Sequence, residues 1–106
     1  MIARVWTART TPANSAAYRE HLEQRVLPAL RAIEGYAGAT MQSRTDGEGV
    51  EVVVTTRWSS LEAVRRFAGD DFERAVVAEE AAALLTAWDR RVRHYEIVLN
   101  DEPGRI

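Results

Sequence analysis

Cysteine is absent from the 106 residues, and so is lysine, all 14 basic side chains being arginine. Without cysteine there is no disulfide, thiolate nucleophile, iron–sulfur cluster or thiolate zinc site. Without lysine there is no Schiff-base chemistry and no covalently held pyridoxal phosphate. Histidine occurs twice, as His21 and His94, and no third ligand at a recognisable spacing completes a two-histidine, one-carboxylate metal site. No glycine-rich dinucleotide fingerprint is present, so no cofactor is expected. Apolar runs fall well short of the roughly 20 residues that cross a bilayer, which predicts no membrane partner. The N-terminal MIARVWTAR alternates polar and apolar residues instead of placing a hydrophobic segment after a basic one. No signal peptide is therefore expected, and the cytoplasm is the expected compartment. A net charge of -2, with the arginines dispersed among 16 acids, excludes the clustered positive field that nucleic acid requires. An arginine-only, alanine-rich composition fits a GC-rich bacterial genome.

What is present reads as one domain over residues 1–99 followed by a short tail, 100–106. IARVWTAR at 2–9 alternates as a strand, with Ile2, Arg4 and Trp6 on one face. Thr11-Pro12 opens a helix whose apolar stripe runs Tyr18, Leu22, Val26, Leu30, Ile33, and Pro28 is expected to bend or interrupt it. A second strand spans 37–45, a turn lies at DGEG, 46–49, and VEVVVTTRW at 50–58 is a central strand. SSLE at 59–62 predicts a capping box with Ser59 as the cap, opening a short helix that ends at Gly69. DDFE predicts a further helical stretch carrying Val76, Leu84, Leu85 and Trp88, and residues 92–99 a last strand. This order is the α+β, ferredoxin-like split βαβ arrangement, a four-stranded antiparallel sheet with helices on one face. The central strands carry apolar or aromatic groups on both faces, so a two-fold homodimer packing sheet against sheet is expected.

MIARVW, GYAGA, RWSSLEAVRRFAGDDFERAVV and HYEI together resemble the antibiotic biosynthesis monooxygenase family over about residues 1–99. The resemblance implies a dimeric α+β barrel with a pocket between sheet and helices in each subunit. Some members oxidise aromatic polyketides with molecular oxygen and no cofactor, and others degrade haem. The positions matching the haem-degrading branch are Thr7, Phe67 and Val77, and none retains that branch's residue, so haem degradation is not expected.

The candidate site residues follow from side-chain chemistry. His94 and Glu96 lie two apart on a strand and share a face, a base tuned by a carboxylate. A structural network is the alternative, in which Arg4 on the neighbouring first strand ties up Glu96 as an ion pair. Arg57 offers its donor fork to an acid or phenolate oxygen. Trp6, Trp58, Trp88, Tyr36 and Phe67 are candidate walls for a flat aromatic ligand, with Arg4 as a polar anchor. The charge run DRRVR at 89–93 is expected to be a solvated helix end, where cations favour the C-terminal dipole, and not a binding patch. The expected function is a cofactor-independent monooxygenase acting on a small aromatic or polyketide-type molecule. The alternative is a non-catalytic homodimer that binds a hydrophobic metabolite.

Overall fold

The computed structural model describes residues 1–104, so the last two residues of the expected tail lie outside the described part. The chain runs β1 (Ile2–Thr10), α1 (Pro12–His21), a π-helical turn (Leu22–Val26), α2 (Leu27–Arg31), β2 (Tyr36–Asp46), β3 (Gly49–Trp58), α3 (Leu61–Ala68), α4 (Glu79–Ala82), β4 (Leu85–Trp88) and β5 (Arg93–Glu96). The strands form one open antiparallel sheet in the order β2-β3-β1-β4, and β5 pairs with the same edge of β1 as β4. Helices lie on one face, the expected α+β arrangement.

Strand pairing decides which side chains see the helices. Arg4 lies opposite Thr56, Trp6 opposite Val54 and Ala8 opposite Val52, so the even-numbered residues of both central strands point to one side. Val50, Val52, Val54 and Trp58 on that side are buried. They pack with Tyr18 and Leu22 at one end of the sheet and with Leu30, Ala63 and Val64 at the other. Burial of each such side chain stabilises the fold by about 1.5–3 kcal/mol. The opposite face presents Val5, Thr7, Val53 and Thr55, half-buried without a helix over them.

The proline-bearing first helix contains a single π turn. Thr11 caps it by accepting from the Asn14 amide at 3.1 Å. In a regular helix the Pro28 ring would clash with the carbonyl of residue 24. The wider turn over Leu22–Val26, closed by the Leu27 amide donating to the Leu22 carbonyl, accommodates it. Leu22 and Val26 therefore stay on the sheet-facing stripe, and the interruption does not break the helix apart.

Three expectations are corrected. The cap of α3 is Ser60, accepting from the Ala63 amide at 3.2 Å, whereas the Ser59 amide donates to the Gly35 carbonyl and Glu62 pairs with Arg66. The register shifts by one because Ser59 is held by the loop after α2. The second member of the expected helix pair is a single turn, α4, and Leu85 and Trp88 belong to a strand. Residues 73–75 instead run extended, with the Ala75 amide donating to the Arg90 carbonyl at 2.9 Å and the Val92 amide to the Glu73 carbonyl at 2.7 Å. Pairing of 73–75 with 90–92 and of Leu85–Trp88 with the open edge of β1 outweighs the modest helix propensity of the stretch. Finally, the last strand is four residues long, Arg93–Glu96, extended by an Ile97 amide bond to the Met1 carbonyl, and Val98 and Leu99 are exposed.

Candidate functional site

A cavity enclosing about 80 Å³ lies between the helix-facing side of β1 and β3 and the first helix. Its walls are apolar: Trp6, Leu22, Val26, Leu30, Val54, Phe67 and the irregular segment Val76–Ala78. Its polar groups are Arg4, Tyr18, His21 and Thr56. Few polar anchors in an apolar hollow is the usual composition of a small-molecule site.

Arg4 is the unusual group. Its side chain reaches inward from the middle of β1 and only 5% of the residue is exposed. Nη1 donates to the Phe72 carbonyl and, at 3.0 Å, to Nε2 of His94, while Nη2 donates to the Arg74 carbonyl at 2.9 Å. Its guanidinium carbon lies 5.5 Å from the centre of the Phe67 ring. No carboxylate pairs with Arg4 among the described residues. Burial lowers its pKa to about 10, so the group remains charged at neutral pH. The turn at 71–74, closed by the Arg74 amide donating to the Asp71 carbonyl and leading into the bridge of Arg74 to Arg91, supplies the carbonyls that hold it, and no periodicity in the sequence predicts it.

Arg4 also fixes the state of His94, directly opposite on β5. A guanidinium only donates, so Nε2 must be the acceptor, and the ring is neutral with its proton on Nδ1. Nδ1 is buried and lacks a partner among the described residues. Burial lowers the His94 pKa below the usual histidine value, the Arg4 charge lowers it further, and Glu73 acts in the opposite sense. The carboxylate that bears on His94 is thus Glu73. Glu96 is exposed opposite Ile2, and the expected Arg4–Glu96 pair gives way to Arg4–His94, because strand register sets those two side by side.

The other sequence candidates are dispersed. Trp6 lines the cavity, its Nε1–H donating to the Asp89 carbonyl at 2.9 Å. Phe67 lines it too, stacked on Trp58 at 5.6 Å. Trp58 itself is wholly buried behind Phe67, donates to the Thr56 hydroxyl at 2.8 Å and meets Tyr36 edge-on at 5.4 Å, so Trp58 and Tyr36 form core beneath the cavity wall. Trp88 lies under Arg90, whose guanidinium carbon is 3.7 Å from its ring centre. Arg57 passes over Gly38 on the far face of the sheet. Two residues of the site were not singled out as such in the sequence. Tyr18, whose phenol burial pushes up to about 12, sits 6.2 Å from the Trp6 ring, and His21 sits 6.3 Å from Tyr18. The signal available for Tyr18 was a hydroxyl on an otherwise aliphatic stripe.

A family model described as antibiotic biosynthesis monooxygenase matches residues 1–79. The chain belongs to this family. The matched stretch contains Arg4, Trp6, Tyr18 and Phe67, while His94 lies beyond it. Among solved structures, the chain is similar to the ActVA-Orf6 monooxygenase of Streptomyces coelicolor in complex with nanaomycin D. That match has 20% identity and a TM-score of 0.69, covering 97% of this chain and 92% of that one. It is also similar to the haem-degrader MhuD of Mycobacterium tuberculosis, with 20% identity and a TM-score of 0.61, covering 96% and 100%. At these identities the likeness is one of fold. Two uncharacterized Mycobacterium tuberculosis proteins are 30% identical over 104 residues, which is 96% of this chain and 42% of each relative. The chain thus spans about two fifths of the curated relatives it matches. Among the described residues, no helix is long and apolar enough to cross a membrane, and no cluster of potential metal ligands occurs.

Proposed function

We propose that this member of the antibiotic biosynthesis monooxygenase family is a cofactor-independent oxygenase of a small aromatic or polyketide-type phenol or enol. The observation that carries the reading is the cavity itself, an apolar hollow with aromatic walls and one buried, carboxylate-free cation beside a neutral histidine. A ring between Trp6 and Phe67 would be shielded from water. His94 stands behind Arg4, outside the cavity lining, and serves as a base only once Arg4 Nη1 turns from its Nε2 towards the substrate; the positive field of Arg4 would favour an ionised substrate. For a substrate methylene flanking an enol, one atom of dioxygen becomes the new carbonyl oxygen and the other leaves as water. The substrate supplies all four electrons. The cavity, partly open to solvent, fits one ring; larger ligands, whose sites typically run to about 300–1,000 Å³, require the segment around the exposed Val76 to move outward. The proposal includes a single unit over residues 1–99, a homodimer joined through the free sheet face, and a cytoplasmic location.

The lowered basicity of His94 supports a second reading, a homodimer that binds a hydrophobic metabolite without chemistry. Oxygen uptake with a panel of monocyclic and tricyclic phenols and enols separates the two. The enzyme reading expects uptake that falls by about 10²–10⁴-fold in His94→Gln while ligand binding persists. Binding without uptake in the wild type sinks it in favour of the second reading.

A further inference from the structure

We infer that the ligand of this cavity carries a permanent anionic group, a carboxylate on an aromatic ring, which pairs with Arg4. The inference rests on the cavity being the ligand site, as proposed above, and names the substrate class. A guanidinium has five N–H donors, of which Arg4 uses three, two on Nη1 and one on Nη2. What remains is the Nε–H and one Nη2–H, donors on adjacent nitrogens that match the two oxygens of a carboxylate. Nε has no partner among the described residues, yet the one wholly buried side-chain polar atom without a partner is Nδ1 of His94. Nε is therefore still open to the cavity that Arg4 lines. Three neutral acceptors hold the group without neutralising it, and burying a charge without a counter-ion is strongly unfavourable. An aromatic acid arrives already ionised at neutral pH, whereas a phenol must first lose its proton. A carboxylate on Nε and Nη2 leaves the Nη1 bond to His94 in place and directs the ring towards the apolar walls formed by Trp6 and Phe67. The substrate class is thus an aromatic acid.

The test is an NMR titration of the full chain with benzoate, benzamide and phenol at neutral pH, following the cavity amides and the Arg4 Nε–H resonance. The expected result is benzoate binding at least about tenfold tighter than either neutral probe. The Arg4 Nε–H should move with benzoate alone. In Arg4→Met, the preference should fall to within about twofold while the neutral probes still bind. Should that variant not fold, the wild-type Nε–H shift decides. Equal affinity for benzoate and benzamide, or phenol binding as tightly as benzoate, overturns the carboxylate and leaves the aromatic-site reading standing. Failure of all three to perturb the cavity at millimolar concentration overturns both.

Discussion

His94 is held neutral by what surrounds it. Burial and the adjacent Arg4 charge both disfavour the imidazolium, so the folded protein binds its proton less readily than the unfolded chain does. The contribution of this site to stability is complete above the unfolded histidine value near 6.5 and is lost as pH falls below it, towards the lower folded value. Thermal melting at pH 7 and pH 5 checks this. The wild type should lose stability across that interval, and His94→Gln, which keeps an acceptor for Arg4 but cannot titrate, should lose less. An unchanged slope in the variant would assign the acid sensitivity elsewhere. The unpartnered Nδ1–H of the same ring carries a desolvation cost of about 1–3 kcal/mol.

At the scale of the elements, two junctions position the cavity wall. Gly35 joins the first helix to β2 with φ at 96°, and a Cβ there would lie 2.4 Å from that of Ala63. Gly35→Ala should therefore destabilise by more than about 1 kcal/mol in denaturant unfolding, through both strain and overlap with α3. The start of α3 separates two adjacent serines. Ser60→Ala should cost about 1 kcal/mol, since it removes the cap, and Ser59→Ala far less, since its backbone amide makes the bond to Gly35. Equal losses would restore Ser59 as the cap. These positions were partly legible beforehand. SSLE announced a cap without choosing between neighbouring hydroxyls, and Gly35 was visible as a breaker though not as a contact with Ala63. The stretch from Asp71 to Trp88 misled, because alanine and glutamate favour a helix locally, yet Arg74 bridges to Arg91 and the unpaired edge of β1, distant in sequence, took Leu85–Trp88 as strand.

The whole molecule presents one covered and one uncovered sheet face. Val5, Thr7, Val53 and Thr55 run across the middle of the uncovered face, and the Arg9–Asp46 and Arg44–Glu51 pairs, at 2.7 and 2.6 Å, lie towards one end of it. An apolar centre with charged flanks suits a two-fold contact between copies. Sedimentation equilibrium should give a dimer for the wild type and a monomer for Val53→Arg, with unchanged circular dichroism. A wild type that is monomeric at every concentration tested would remove the dimer from the proposal.

Local information was enough for the parts that depend on neighbouring residues: the alternation that makes Ile2–Thr10 and Gly49–Trp58 strands, the Thr11-Pro12 start, and the family motifs that carry the fold. It also named Arg4, His94, Trp6 and Phe67 as residues of interest, without saying which of them meet. Tertiary structure alone decided that Arg4 faces His94 and not Glu96, because a two-residue change in strand register exchanges one for the other. It alone decided that Trp58 lies behind Phe67 as core while Trp6 lines the cavity. The charge of Arg4 is written in the sequence, but its isolation from the carboxylates of the described residues is a property of packing, and the site's chemistry follows from that isolation.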